Sequence, residues 1–323
     1  MTAETTEGLV CPRDHGALQA VEGELSCAAG HRFPLRRWAG GAFADFSDET
    51  TFDSNAALQR ATYDDGQANR YSGQGQDDKA RFMRDFVSRR VRGRVKAKEQ
   101  LLLSAFRDLR LPPAPRLLEI GCNDGRYLFV ASALSGGSGI GLDISAAAVQ
   151  QALEARPRGD RNAFHVGQAD RLPVGDGSVD CVLSFDVFEH LGQGGFEQAM
   201  REVARVLAPG GALLVYVVSQ NDRFTLHETL RQISGGRVGV DDGEGHRWEN
   251  FIHPDRFRAV AAEVGLSVAR LRAYHGFWTL FAEYYLYNAP PAFAYRLLDL
   301  LDYPLWRFDH GNGFLAVARK ESP

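Results

Sequence analysis

The sequence predicts a doubly wound α/β domain, and three observations carry that prediction. Apolar runs recur beyond residue 115, at Arg116–Gly121, Gly139–Ile144, Ala163–Val166, Val179–Phe185, Ala212–Val218, Leu266–Leu271 and Phe314–Ala318. Helix-length stretches separate them, and strands alternating with helices form a mostly parallel sheet covered on both faces. The first strand runs directly into a glycine-rich turn and a helix, Leu117-Leu118-Glu119-Ile120-Gly121-Cys122-Asn123-Asp124-Gly125-Arg126-Tyr127. That junction is where such sheets hold nucleotide-type ligands.

Composition narrows the class further. The chain has 323 residues, 44% apolar and 24% charged, which excludes a disordered or fibrous protein. Its 37 basic and 41 acidic residues give a net charge of -4, so it is no uniformly basic nucleic-acid coat. Four cysteines, Cys11, Cys27, Cys122 and Cys181, are too few and too scattered for a disulfide framework. The start lacks a basic segment followed by an apolar run, and no stretch reaches about 18 uninterrupted apolar residues, so a cytoplasmic protein is expected.

In chain order, residues 1–48 read as short strands and turns, with Cys11-Pro12-Arg13-Asp14-His15 followed by Cys27-Ala28-Ala29-Gly30-His31. Residues 49–115 read as helical, with Phe82/Phe86 and Val87/Val91/Val95 at four-residue intervals. Prolines 112, 113 and 115 close that segment. Residues 116–323 form the α/β core, interrupted before the last strand by an insertion at 273–311.

The glycine turn is informative by what it lacks. A dinucleotide fingerprint needs G-x-G-x-x-G, but Asn123 and Arg126 stand at two of its glycine positions, and no Gly-Lys-Ser/Thr follows to make a P-loop. Glu119 inside the strand suits a cationic ligand better than a pyrophosphate. Further acids follow each strand in turn: Asp143 after the second, Asp170 with Arg171 after the third, and Phe185-Asp186 opening Val187-Phe188-Glu189-His190-Leu191 after the fourth. Leu207-Ala208-Pro209-Gly210-Gly211 precedes the fifth.

In this ordered set the chain resembles the class I S-adenosylmethionine-dependent methyltransferases, over about residues 115–272 and 312–320. The resemblance implies a Rossmann-like seven-stranded sheet and S-adenosylmethionine as cofactor. It further implies that Glu119, Gly121, Cys122, Asn123 and Gly125 surround the methionine part, that Asp143 takes the ribose hydroxyls, and that Ile144 lies beside the adenine. Asp170 and Arg171 match the adenine edge, while Phe185 and Asp186 match the position where the fourth strand meets the sulfonium. Tyr63 and Tyr71 match the upstream tyrosines of a helical lid. Where the acceptor must lose a proton, His190 and His253 are the candidate bases.

The amino-terminal segment resembles the zinc ribbons fused to some methyltransferases. Cys11, Cys27 and His31 have the required types, and either Asp14 or His15 could supply a fourth ligand to a structural zinc. Packing of Leu18, Leu25, Phe33, Leu35 and Trp38 could alternatively hold the ribbon without metal.

Two segments bear on the partner. Residues 79–98 carry nine basic residues and one acid, a stripe that is either a solvated helix face or a contact for RNA, an anionic membrane or an anionic substrate. Residues 273–311 hold twelve of the chain's 34 aromatics, which could wall an apolar substrate pocket, form a homodimer interface or add a core layer. The expected activity is methyl transfer to an O or N atom of a small metabolite. The alternatives are an rRNA or tRNA methyltransferase and a non-catalytic cofactor-binding partner protein.

Overall fold

The computed structural model describes residues 8–64, 97–192, 194–235, 250–285 and 292–322. Tyr71 and residues 79–96 of the basic stripe lie outside the described residues.

A four-stranded antiparallel sheet comes first, formed by β1 (Leu18–Val21), β2 (Glu24–Cys27), β3 (Arg32–Trp38) and β4 (Gly41–Ala44) in sequential order. Helix α1 (Ser54–Thr62) follows, started by the Asp53 side chain accepting from the amides of Asn55 and Ala56. Helix α2 (Ala97–Asp108) ends before the prolines.

The core alternates as the sequence predicts: β5 (Arg116–Ile120), α3 (Arg126–Ser135), β6 (Ser138–Asp143), α4 (Ala146–Glu154), β7 (Ala163–Val166), β8 (Val179–Phe185), α5 (Gly195–Val206) and β9 (Leu207–Val218). Then come α6 (Leu226–Ile233), α7 (Pro254–Glu263), β10 (Leu266–Tyr274), α8 (Trp278–Tyr285), α9 (Ala292–Leu301), α10 (Tyr303–Trp306) and β11 (Gly313–Lys320). The seven-stranded sheet runs β10-β11-β9-β8-β5-β6-β7. Strands β5 to β9 pair in parallel, whereas β11 is antiparallel to both its neighbours.

Successive strand residues face opposite sides of a sheet, and the core divides accordingly. Leu118, Val182 and Leu213 pack on one face with α5 and α7, while Leu117, Leu183 and Leu214 pack on the other with α2, α3 and α4.

Two strand boundaries differ from expectation by three residues or more. β9 begins at Leu207 rather than Ala212, and β10 continues past Leu271 to Tyr274 because its antiparallel pairing with β11 runs on to Tyr274 and Gly313. Among the described residues, the insertion holds three short helices, α8, α9 and α10. It is not simply an added core layer: Trp278, Leu297, Leu300, Leu301, Tyr303 and Phe308 are exposed.

The ribbon is docked on the free edge of the large sheet. Asp45 bridges Val166 in parallel, the Phe46 amide donates to the Val166 carbonyl at 2.9 Å, and Leu9 bridges Val174. Buried His165 of β7 accepts from the Ala44 amide at 3.1 Å through Nδ1, and burial lowers its pKa to about 4. A neutral imidazole thus seals the junction, and β7 is no longer an open edge.

Candidate active site

Strand order reverses at β5, whose neighbours β6 and β8 lead away to opposite sides, so the crevice at its carboxyl end is the topological switch point. The chain leaves β5 through residues in the left-handed conformation, Gly121 at φ 71°, Asn123 at 44° and Gly125 at 75°. At Gly121 the requirement is also steric, because a Cβ there would sit 2.2 Å from Val187 Cγ2. The amides of Gly121 and Cys122 both donate to the Leu142 carbonyl, at 2.8 and 2.9 Å, which ties the turn to β6.

Three buried acids surround this turn. Glu119 Oε2 accepts from the Leu128 amide at 3.0 Å, so the strand acid caps the first turn of α3. Burial pushes its carboxyl well above the usual range, and Asp124 and Asp143 push it further, while the Leu128 amide and Arg126 oppose this. Asp143 accepts from the Asn123 amide at 2.9 Å and the Ser145 amide at 3.0 Å, and burial raises it too. Asp124 pairs with Arg126 at 3.2 Å. The Cys122 thiol is pushed well up by burial, so it packs rather than reacts.

The site also holds buried polar atoms without a protein partner among the described residues: Asn123 Oδ1 in the turn and Ser184 Oγ near the end of β8. Such atoms are costly unless a ligand or water meets them. Together with the glycine turn and the surplus of negative charge, they fit the cofactor that the resemblance implies.

The remaining predicted positions fall along the same edge. Ile144 is half-buried after β6. Asp170 and Arg171 form a 3.8 Å pair, with Asp48 also 3.8 Å from Arg171. Phe185 packs edge-on against Tyr127, centroids 4.8 Å apart. Asp186, at φ 55°, donates its amide to the Tyr216 carbonyl at 3.0 Å. Helix α1 crosses these loops: the Asn55 side chain donates to the His190 carbonyl at 3.0 Å, and just beyond its end Asp64 accepts from Ser145 Oγ at 2.6 Å.

Sequence reasoning missed three positions. Buried Glu189 accepts from the Val218 amide at 3.3 Å and ties the loop after β8 to the end of β9. Its place beside His190 in the fourth-strand segment was the available signal. Tyr216 OH meets His275 Nδ1 at 2.9 Å inside the fold. Asp302, 2% exposed, accepts from the amides of Phe277, Trp278 and Thr279 at 2.9–3.0 Å, and so caps α8 across the insertion.

Beyond the end of β9 lies a polar recess lined by Gln220, Asn221, Asp222, Arg223, Glu228, Arg231 and His253. His253 is the N-cap of α7, its Nδ1 accepting from the Asp255 amide at 3.2 Å, so the capping role coexists with a place in the recess. Burial raises the Asp222 carboxyl to about 6, with Arg231 3.7 Å away opposing the shift. His190 sits in a single helical turn under α1 instead.

In the ribbon, donor atoms of Cys11, Asp14, Cys27 and His31 all lie within 4.8 Å of one another. His15 does not belong to this group. Its φ of 56° turns the chain just after Asp14, and its side chain is exposed.

Residues 118–215 match the family model described as a methyltransferase domain. The chain is 30% identical over 135 residues to a malonyl-[acyl-carrier protein] O-methyltransferase of Methylococcus capsulatus, covering 42% of this chain and 48% of that protein. It is 29% identical over 157 residues to a 27-O-demethylrifamycin SV methyltransferase of Amycolatopsis mediterranei, covering 46% and 57%. The chain thus spans about half the length of these curated relatives. In fold it is similar to a chain of the Haloferax volcanii complex of the Trm112 methyltransferase activator with a methyltransferase, at TM-score 0.52 and 20% identity over 82% of this chain and 98% of that one. The matched segment begins in β5 and ends in β9, enclosing the glycine turn and every acid described above from Glu119 to Glu189. Residues 118–215 of this chain are thus a methyltransferase domain, set in a sheet of the class I S-adenosylmethionine-dependent type.

Proposed function

We propose that this protein transfers the methyl group of S-adenosylmethionine to an oxygen or nitrogen atom of a small metabolite, releasing S-adenosylhomocysteine. The observation that carries the reading is the set of three buried acids, Glu119, Asp124 and Asp143, around a glycine turn with Arg126 as the cation paired there. That field favours a ligand bearing positive charge. The turn from Gly121 to Gly125 would hold the methionine part, Asp143 the ribose, and Ile144, Asp170 and Arg171 the adenine edge.

When bound, the cofactor supplies a methyl carbon already activated by a positively charged sulfur. The protein's own task is alignment. The acceptor's lone pair forms the new bond to carbon as the carbon–sulfur bond breaks, with its electron pair going to sulfur. Holding the acceptor in line is worth up to roughly 7–11 kcal/mol.

The recess after β9 opens from the same edge of the sheet as Asp186, because β8 and β9 run parallel with Phe185 opposite Tyr216. Its mixed lining suits a polar metabolite. With Nδ1 accepting from the Asp255 amide, neutral His253 carries its hydrogen on Nε2, so on the recess lining it serves as a hydrogen-bond donor that orients the acceptor rather than as the base that deprotonates it. The rifamycin methyltransferase named above supports a small-metabolite acceptor.

The direct test incubates the protein and methyl-labelled S-adenosylmethionine with size-fractionated cell extract, with and without RNase. Label in a low-mass product supports the reading. Label confined to RNase-sensitive material, or no transfer to any fraction, overturns it.

A further inference from the structure

We propose that Cys11, Asp14, Cys27 and His31 bind one zinc ion in a closed tetrahedral site, and that this ion fixes the ribbon against the cofactor side of the sheet. The distances carry the inference. Zinc held by thiolate at about 2.3 Å, imidazole at about 2.0–2.1 Å and carboxylate at about 2.0–2.2 Å sets tetrahedral donors about 3.3–3.8 Å apart. Here His31 Nδ1 lies 3.4 Å from Cys11 Sγ, 3.4 Å from Cys27 Sγ and 3.2 Å from Asp14 Oδ2, and Cys27 Sγ lies 3.1 Å from Asp14 Oδ2.

Hydrogen bonding does not account for this arrangement. An imidazole nitrogen carries either one hydrogen or one lone pair in its plane, so Nδ1 cannot satisfy three partners at once. A cation at the centre satisfies all four donors. The carboxylate is also pre-set to bind through one oxygen, since Oδ1 accepts from the Gly16 amide at 2.9 Å and Oδ2 faces the other donors.

The donor chemistry selects the metal. Two thiolates and an imidazole favour zinc over magnesium or calcium. Four protein ligands leave no open position, which is the mark of a structural site. Two thiolates and one carboxylate around a divalent ion leave one net negative charge, and the Arg13 amide, 3.4 Å from Cys11 Sγ, donates toward it.

The site connects to the cofactor edge in a few steps. The Arg13 guanidinium bonds Asp48 at 2.8 Å, Asp48 lies 3.8 Å from Arg171, and the Asp48 amide donates to Gln168 Oε1 at 2.8 Å. The Val10 amide donates to the Pro173 carbonyl at 3.1 Å. The ion would therefore hold the segment that braces residues 168–173.

The test is metal content by elemental mass spectrometry on protein purified from zinc-supplemented culture, a measurement independent of methyl transfer. The proposal requires about one zinc per chain in the wild type, loss of most of it in Cys27→Ser and His31→Ala, and full retention in His15→Ala. Less than about 0.2 zinc per chain in the wild type overturns it. So does zinc that survives Cys27→Ser, zinc lost equally from His15→Ala, or a Cys11–Cys27 disulfide in the purified protein. If the ligand variants do not fold, cobalt(II) exchanged into the wild type decides the matter. Intense ligand-field bands with thiolate charge transfer support the site, and the weak spectrum of six-coordinate cobalt refutes it.

Discussion

The carboxyl edge of the sheet holds two regions built on opposite plans. Around β5 and β6 the site is made of backbone: left-handed turn residues, amides donating to the Leu142 carbonyl, and an Asp143 carboxylate fixed by two amides. Beyond β9 the recess is made of side chains on loops and helix starts, including Asp222, Arg223, Glu228, Arg231 and His253. A backbone-built site demands particular residue types at fixed spacing and suits a ligand that never changes. A side-chain-built recess can be rebuilt without disturbing the sheet, and suits the half of the reaction that sets specificity.

The account requires the two regions to be separable. His253→Asn keeps an N-cap side chain on α7 but removes the imidazole. Turnover should fall about 10-fold, the worth of one orienting hydrogen bond, while S-adenosylhomocysteine affinity stays within about twofold; a parallel loss of affinity would merge the regions. Gly121→Ala should do the reverse. A methyl group placed 2.2 Å from Val187 Cγ2 at a positive φ must displace the turn, and titration calorimetry should show at least about 100-fold weaker binding, about 2.7 kcal/mol.

Asp302→Ala tests the scaffold behind the recess. Removing a buried acceptor from three amides and Thr279 Oγ1 should cost about 2–3 kcal/mol in thermal unfolding. Cofactor affinity should be unaffected, because the lost bonds lie in the insertion.

The smallest effect is electrostatic. The Asp222 carboxyl is raised from an ordinary 3.8 to about 6, so its folded-state benefit is complete below about pH 4 and is lost as pH rises through about 6. Asp222→Asn should therefore match the wild type in melting temperature at pH 4 and exceed it at pH 7.5. The opposite order would mean that Arg231 more than compensates the buried charge.

The same contrast explains what could be read from sequence. The strand–turn–helix at Leu117–Tyr127 and the acids after successive strands were legible because backbone geometry restricts which residues serve there. Asp14 against His15 was not decided by spacing, since both ligand types bind zinc. The choice emerges only where Gly16 pins one Asp14 oxygen and aims the other. Asp302 caps a helix that begins 24 residues earlier, so no local capping pattern announces it. The recess was invisible for a related reason, because its residues come from two separate loops and a helix face joined only by folding.

The central claim is that the backbone-built turn and Asp143 hold S-adenosylmethionine and its product. The most direct measurement is calorimetric titration of S-adenosylhomocysteine into the wild type and Asp143→Asn, a variant that keeps the shape of the side chain while removing its charge. The account predicts micromolar affinity for the wild type and at least about 10-fold weaker binding for the variant, about 1.4 kcal/mol. Equal affinity in the two proteins, or no binding to the wild type, would contradict it.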